Sequence, residues 1–374
     1  GAGIDGCGRL RYNHGVSNAQ NQELQRHCFG AKTVRLRVSG LTMRRDRLDN
    51  YRRLEEIRGS RLLVYVTGDR PGLETQIHSE VLDYFTYHLD LIGDVEKISL
   101  YIYTRGGDTL AAWSIANLIR QFCKSLEVII PAKCHSAGTL ISLAADTIVM
   151  TKQATLGPID PSVHGPLNPG VPGAPPNVRV PVSVEAINGY LEFVREALGN
   201  EASIHEIIRQ LSRQIHPLVL GDVYRARAQI RMLARKLLGR QIEDTERLDR
   251  ILEFLCSESG SHDYTINRQE ARDDLGLNIE KPNDQLYQVI KSIYDDIATE
   301  LELTTPFHPA LLLGTNQSAN YTLRRALIES IKGGTHVFVS EGIFTRQRLT
   351  NQFGIPQEVI ADQRTFEGWR HETS

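Results

Sequence analysis

Short apolar runs alternate with amphipathic stretches along the first half of the chain. The runs Ile98 to Thr104 and Leu126 to Pro131 are rich in β-branched and aromatic residues, which is typical of buried strands. Ile77 to Leu91 and Leu110 to Phe122 instead carry apolar residues at helical spacing. This alternation from Thr33 to Met150 predicts βαβ units and a largely parallel sheet.

The second half of the chain is predicted to be mostly helical between Ser183 and Glu302. The expected helices are Val184 to Leu198, Ile204 to Ile215, Asp222 to Leu238, Glu243 to Leu255 and Asp284 to Leu301. From Leu303 onward the pattern is mixed, with a hairpin-like segment HVFVSEGIFTR that begins at His336.

These patterns divide the chain into three parts. Residues 1–32 are polar and are expected to form an N-terminal arm. Residues 33–302 form the predicted α/β domain with its helical part, 183–302, and residues 303–374 form a mixed α/β extension. Within the domain, the Pro- and Gly-rich stretch 156–181 cannot be regular throughout. It is either a lid or substrate-lining loop, or a surface excursion.

One serine lies where an apolar strand is predicted to turn into an apolar helix. The segment KCHSAGTLISLAAD, Lys133 to Asp146, places Ser136 in a turn of small residues at the start of that helix. Free backbone N–H groups and the helix dipole would surround its hydroxyl. Ser136 is therefore a candidate nucleophile, and the alternative is that it only caps the helix.

A second strand-to-helix turn contains two adjacent glycines, Gly106 and Gly107, between Arg105 and Asp108. Glycine allows close backbone approach, and an oxyanion hole needs backbone N–H donors aimed at a developing alkoxide. The Gly106-Gly107 turn and the N–H of Ala137 could supply such donors. The alternative is an ordinary turn at the start of a helix.

Three segments in this order, YTRGGDTLAAW, CHSAGTLISLAADTIVM and ATLGPIDPSV, resemble the serine dehydrogenase proteinase family. That family belongs to the Clp/crotonase-like fold, together with signal peptide peptidase A and the Clp peptidases. The resemblance extends from about Val64 to about Leu277. It implies a repeated ββα core, a serine peptidase with Ser136 as nucleophile, an oxyanion hole at Gly106, Gly107 and Ala137, and a homo-oligomer.

The sequence lacks the general base of both better-known relatives at the position where each relative has it. Clp-type peptidases carry a histidine where this chain has Leu156-Gly157-Pro158-Ile159-Asp160, and no lysine lies between Lys152 and Lys236 to match the signal peptide peptidases. His262 ranks first, with Asp263 beside it, because the segment SHDYTINRQEARDDLGL resembles the one that supplies the Clp triad aspartate.

Lys236 and His216 are the alternative bases, and His135 and Cys134 precede Ser136 directly in the sequence. Lys236 lies in a basic helix and would need burial to act as a base, and His216 fits a helix end. His135 is expected to point away from Ser136. Cys134 is expected to be buried at a strand end, which disfavours a reactive thiol.

Composition favours an ordinary soluble protein without cofactors. The net charge of −2 gives no bias toward nucleic acid or anionic membrane, and short basic runs such as Arg44 to Arg47 are expected to be solvated faces. Five widely spaced cysteines without a C-x-x-C pair indicate neither a disulfide framework nor a zinc site, and favour the cytoplasm. No apolar run reaches the roughly 18 residues of a membrane span.

The sequence therefore predicts a serine endopeptidase that hydrolyses peptide bonds through an acyl-enzyme on Ser136, with peptides or unfolded proteins as substrates. It has no Walker-type motif, so ATP dependence would come from a partner. The sequence leaves open whether an activating partner is needed. The alternatives are a catalytically silent oligomeric scaffold or peptide-binding module, and a crotonase-type acyl-CoA enzyme.

Overall fold

The structure is a computed structural model that describes residues 36–159, 162–173, 175, 177–199, 203–258, 263–350 and 355–372. Residues 47–374 form one compact unit. The predicted arm, 1–32, lies outside the described residues. The domain boundary at 302/303 stays a prediction.

The helices are α1 Leu36–Arg58, α2 Leu82–Ile92, α3 Thr109–Gln121, α4 Ala137–Ser142, α5 Val184–Leu198, α6 Ile204–Gln214, α7 Pro217–Leu238, α8 Thr245–Glu253, α9 Arg268–Asp273, α10 Asp284–Glu300 and α11 Pro309–Leu313. The strands are β1 Arg61–Thr67, β2 Val95–Tyr103, β3 Cys123–Ile130, β4 Lys133–Cys134, β5 Thr147–Met150, β6 Thr155–Leu156, β7 Ser162–Val163, β8 Val182–Ser183, β9 Ile266–Asn267, β10 Ile279–Glu280, β11 Ser318–Ser330, β12 Gly334–Thr350 and β13 Pro356–Glu372.

The main sheet has eight strands in the order β10-β5-β3-β2-β1-β11-β12-β13. Neighbouring strands from β10 to β1 run parallel, and β11, β12 and β13 continue the sheet antiparallel. Strands β1 to β3 are apolar on both faces because helices cover both sides, as parallel sheets require. The predicted α/β class with a largely parallel sheet is confirmed.

A second, three-stranded sheet of order β4-β6-β9 lies at the ends of the parallel strands. Strand β3 continues into β4 and then α4, and β5 continues into β6. Thr104, directly after β2, forms a bridge to Cys134 in β4. These repeats agree with the predicted ββα units. In each repeat a turn follows the carboxyl end of a parallel strand, so the turns lie at the same end of the main sheet.

One core covers the face of the sheet that carries α4, the helix that follows Ser136. It joins buried residues of α2, α3 and α4 to the C-terminal half of α7, where Leu233 and Leu237 are buried. A second core on the opposite face packs α1 and α10 against β1 to β3, with Tyr51 and Ile293 fully enclosed. The sheet is therefore held from both sides, which fixes the positions of its strand ends.

Arg47 contradicts the expectation that the basic run Arg44 to Arg47 is a solvated face. Its side chain is 3% exposed and forms ion pairs with Asp296, Glu300 and Glu329 at 3.3, 2.6 and 3.2 Å. The acidic partners come from α10 and β11. A pattern of charges along one segment cannot reveal such partners, because they lie far away in the sequence.

The Pro- and Gly-rich stretch is anchored at its base. Strands β7 and β8 pair antiparallel, and the buried Asn168 donates to the carbonyl oxygens of Val163 and Val180 at 2.7 and 2.9 Å. Val182 and Val219 belong to a small separate core with α5 and α7. Whether this stretch acts as a lid stays a prediction.

Most helices differ from their predicted bounds by a few residues at the ends, whereas the C-terminal segment has a different secondary structure from the one predicted. Helix α5 begins and ends as predicted. Helix α4 stops at Ser142, although the uncharged stretch that follows Ser136 continues to Ala145. The expected hairpin at His336 is wrong, since these residues form one continuous strand, β12, paired on both sides. The hairpin turn lies earlier, between β11 and β12.

Three histidines join the antiparallel extension to α2. His88 is fully buried, with Nδ1 2.8 Å from Ser330 Oγ and Nε2 3.0 Å from His336 Nδ1. The ring of His336 stacks on His371 at 4.5 Å, and Tyr87 packs against all three rings. Burial, with the neighbouring histidines, lowers the pKa of His88 to about 3 and that of His336 to about 4.

These lowered pKa values predict acid sensitivity at this junction. Unfolding returns both histidines to a pKa near 6.5, so their contribution to stability is complete above that pH and declines as the pH falls toward about 4 and 3. We expect His88→Gln, although less stable overall, to show a shallower decline in the free energy of unfolding between pH 6.5 and 4 than wild type. Denaturant titrations at several pH values measure this.

His205→Gln is the matched control, because His205 is exposed on α6. Its decline should follow that of wild type. Equal pH slopes for wild type and His88→Gln would contradict the assignment of this acid sensitivity to the histidine junction.

Candidate active site

Ser136 occupies a strained position in a tight turn. The N–H of Gly138 donates to the carbonyl oxygen of His135 at 2.9 Å, which closes the turn around Ser136 and Ala137. Ser136 has φ 52° and ψ −115°, which matches the first central position of a type II′ turn. Glycine is the usual residue there, so a serine with this backbone carries a conformational cost.

The hydroxyl of Ser136 does not cap the helix. Ser136 stands at the N-cap position of α4, but its side chain accepts no capping hydrogen bond. Ser136 is 9% exposed, and its hydroxyl has no hydrogen-bonding partner within the described ranges. The alternative interpretation of Ser136 as a simple capping residue of α4 is therefore wrong.

The Gly106-Gly107 turn packs closely against the turn formed by residues 135–138, called the serine turn below. A Cβ on Gly106 would lie 2.7 Å from the Cβ of Ser136 and 2.9 Å from the carbonyl oxygen of His135. A Cβ on Gly107 would lie 2.3 Å from the carbonyl oxygen of Ile77. Both positions also have positive φ, at 114° and 147°. Only glycine fits these two positions, because both the space and the backbone conformation exclude a side chain.

The two turns offer backbone N–H donors of different availability. The N–H of Gly106 donates to the hydroxyl of Thr104 at 3.0 Å. The N–H groups of Gly107 and Ala137, by contrast, have no acceptor in the part of the chain that the structure describes. The oxyanion hole at Gly106, Gly107 and Ala137 stays a prediction. Among the described residues, the N–H of Gly106 already has an acceptor, whereas those of Gly107 and Ala137 do not.

The two residues before Ser136, Cys134 and His135, both contact the small sheet. Cys134 is fully buried, and burial raises the pKa of its thiol to about 12, so it is the inert residue that the sequence predicted. His135 Nε2 lies 2.8 Å from the hydroxyl of Thr155, on β6. Its ring is thus engaged with the neighbouring strand of the small sheet.

The small sheet brings the segment of Asp263 to the serine end. Cys134 pairs with Leu156 in parallel register, and Leu156 pairs with Ile266 in antiparallel register. The chain therefore enters β9 at the end of the small sheet where it leaves β4 toward Ser136. Asp263, shortly before β9, is exposed. His262 lies outside the described residues.

The other two candidate bases are engaged elsewhere. Lys236 is exposed on α7 and lies over the ring of Trp113 at 5.9 Å. His216 is exposed and caps α7, where its Nδ1 accepts the N–H of Leu218 at 3.2 Å. Within the described ranges, neither forms a hydrogen bond with Ser136. No cluster of His, Cys, Asp and Glu in these ranges is suited to a metal ion.

The site lies within a segment shared with known proteins. Residues 88–171 match a family described as ClpP-like SDH-type serine proteinase. The predicted resemblance to this family is confirmed. The matched segment contains Gly106, Gly107 and Ser136, together with the whole serine turn.

Two curated relatives come from Methanocaldococcus jannaschii, and both are uncharacterized proteins. One is 30% identical over 186 residues, which cover 50% of this chain and 54% of the relative. The other is 46% identical over 66 residues, which cover 18% of this chain and 23% of the relative. The matches thus span about half of the first relative and a quarter of the second.

Solved structures similar to this chain include two peptidases. A mutant of the 1510-N membrane-bound stomatin-specific protease aligns with a TM-score of 0.36 and 16% identity, covering 62% of this chain and 85% of that one. ClpP1 from Listeria monocytogenes aligns with a TM-score of 0.33 and 17% identity, covering 65% and 99%. In the described part of this chain, no helix combines the length and apolar character needed to cross a membrane.

Thr104 is the residue at this site that sequence analysis missed. Its hydroxyl receives the N–H of Gly106, two residues later, which is a common local pattern for threonine in turns. That pattern is visible in the sequence as a threonine shortly before a glycine pair. Its importance here comes from the second turn packed against it, which the sequence does not reveal.

The strain at Ser136 predicts an unusual order of stabilities. Ser136→Gly and Ser136→Ala both remove the hydroxyl, but only glycine adopts positive φ without cost. Relief of about 1–3 kcal/mol of strain should outweigh the roughly 0.5–1 kcal/mol that glycine loses in chain entropy. We therefore expect Ser136→Gly to be the more stable variant by about 1 kcal/mol in denaturant titration. An alanine variant as stable as the glycine variant would show that this backbone conformation is not strained.

Proposed function

We propose that this protein is a serine peptidase that cleaves peptide bonds through an acyl-enzyme on Ser136. The observation that carries the proposal is a serine hydroxyl on a strained turn, in contact with the Gly106-Gly107 turn. Among the described residues, neither this hydroxyl nor the N–H groups of Gly107 and Ala137 have a hydrogen-bonding partner. Strained backbone positions cluster at functional sites because the surrounding structure must maintain them. A residue that served only to fold the chain would be glycine here.

In the proposed reaction, Ser136 Oγ attacks the carbonyl carbon of the scissile peptide bond. The oxygen that becomes negative is stabilised by the N–H groups of Gly107 and Ala137. The base takes the serine proton and passes it to the leaving amine, so the first product departs as a neutral amine. A water molecule then hydrolyses the ester and restores Ser136. The reaction needs no metal ion or cofactor.

For the base we propose His262, with Asp263 next to it. The register of the small sheet supports this choice, because the segment that begins at Asp263 enters β9 at the end where Ser136 lies. Lys236 and His216 are less suitable, since one is exposed over Trp113 and the other caps a helix. We propose that the substrates are peptides or unfolded proteins. We also propose that the chain acts as a homo-oligomer.

A catalytically silent scaffold or peptide-binding module is the second candidate. The observation that favours it is that, among the described residues, no titratable side chain is hydrogen-bonded to Ser136. A peptidase and a catalytically silent scaffold differ in one measurable property, the reactivity of the Ser136 hydroxyl.

The first test is therefore active-site labelling and proteolysis. We expect wild type to cleave casein and to gain one adduct from a fluorophosphonate probe, and Ser136→Ala to lose both signals because the attacking oxygen is gone. Intact-mass analysis locates the adduct. Ser162→Ala, which alters an exposed serine on β7, should behave as wild type. Labelling that persists in Ser136→Ala would contradict the proposal, and an unlabelled, inactive wild type would favour the scaffold.

The base is tested by substitution and by pH. We expect His262→Gln to lower kcat/KM by about 10²- to 10⁴-fold, because a positioned general base contributes a factor of that size. Lys236→Met and His216→Gln should stay within about twofold of wild type, since neither takes the serine proton. Wild type should also lose kcat/KM toward acidic pH as the imidazole becomes protonated. A large loss in Lys236→Met, with full activity in His262→Gln, would transfer the role to the lysine.

A further inference from the structure

Thr104 links the two turns of the candidate active site through its backbone. It follows β2 directly and is fully buried. Its N–H donates to the carbonyl oxygen of Lys133 at 3.0 Å, and its carbonyl oxygen accepts the N–H of His135 at 3.1 Å. The glycine turn that begins after Thr104 is thus tied to the strand that leads into Ser136.

The hydroxyl of Thr104 orients the glycine turn. It accepts the N–H of Gly106 at 3.0 Å, and it accepts a second hydrogen bond from the hydroxyl of Thr67, on β1, at 2.7 Å. A hydroxyl oxygen has two acceptor positions, so both are used. The N–H of Gly106 is turned inward onto Thr104. The next N–H along the chain, that of Gly107, is the one that has no acceptor among the described residues.

The methyl group of Thr104 contacts the serine turn. A Cβ on Gly138 would lie 2.4 Å from Thr104 Cγ2, which shows how closely the methyl approaches the residue that closes that turn. One side chain therefore touches both turns, its hydroxyl holding Gly106 and its methyl packing on Gly138. In a close-packed interior, such a contact fixes the separation of the two backbones.

We propose that Thr104 is a positioning residue for catalysis, which keeps the N–H of Gly107 aligned with that of Ala137 beside Ser136. This inference rests on the proposed peptidase function. Thr104 does not touch the substrate; its effect is transmitted through the Gly106 peptide group. It therefore acts on the oxyanion that forms in the transition state and has little effect on binding of the ground-state substrate.

The test separates the hydroxyl from the methyl. Thr104→Val keeps the shape and removes the hydroxyl, whereas Thr104→Ser keeps the hydroxyl and removes the methyl. Loss of a direct oxyanion donor costs about 10²- to 10³-fold in kcat. The hydroxyl of Thr104 acts on the donor only through the Gly106 peptide group, so its loss should lower kcat by about 10- to 100-fold. We expect that loss in Thr104→Val with KM within about twofold, and a kcat within about threefold of wild type in Thr104→Ser.

Thr151→Val is the matched control. Thr151 is also fully buried, and its hydroxyl donates to the carbonyl oxygen of Pro131 at 2.7 Å, but it lies outside both turns. It should lose thermal stability, as Thr104→Val does, and keep its kcat. If Thr104→Val does not fold, Thr104→Ala and Thr104→Ser differ at the same site by the hydroxyl alone, and the serine variant should be the more active by about tenfold.

The outcomes distinguish this inference from the proposed function. Peptide cleavage that depends on Ser136, with kcat in Thr104→Val equal to that in Thr151→Val, would overturn the role of Thr104 and leave the peptidase intact. A parallel change in KM would also overturn it, since that would indicate lost substrate binding. Wild type that neither cleaves nor labels at Ser136 would overturn both.

Discussion

The candidate site depends on one steric constraint, the contact between the turn at Gly106 and the turn at Ser136. No side chain fits between them, because a Cβ on Gly106 would lie 2.7 Å from that of Ser136. The parallel strands β2 and β3 make this contact available, since both end at the same edge of the sheet. Thr104 then sets the distance between the two turns. Because these turns pack as closely as their backbones allow, the serine is strained, and two N–H groups have no acceptor among the described residues.

The buried side chains that the structure describes in the serine turn are uncharged, and the buried ion pairs of Arg47 lie elsewhere. Cys134, Ala137 and Thr139 around the serine turn are all buried and uncharged. Arg47 and its acidic partners instead join α1 and α10 to β11. The histidine of the serine turn, His135, has its Nε2 2.8 Å from the hydroxyl of Thr155. The segment before β9, and not the serine turn or α4, therefore carries the proposal for the base.

Local patterns predicted the elements well and the contacts between them poorly. The apolar periodicity gave both ends of α5, and the strand-turn-helix pattern located the serine turn, because these features depend on neighbouring residues. The burial of Arg47 and the continuous strand at His336 depend on partners distant in sequence, and neither was predicted. At the site, glycine and serine could be named from sequence. Which N–H of the glycine turn lacks an acceptor among the described residues depends on the hydrogen bond that Thr104 accepts from Gly106, and this was not predicted.

The pairing of β1 with β11 has a consequence for how the chain folds. β1 is synthesised before β2, β3 and β5, yet its second neighbour, β11, follows only after the helices α5 to α11. Until β11 is made, one side of this apolar strand lacks the hydrogen-bonding partner that it has in the folded sheet, and contacts so distant in sequence form slowly. Between the synthesis of β1 and that of β11 the growing sheet therefore has an open edge, which is the state in which chaperones protect a chain from aggregation.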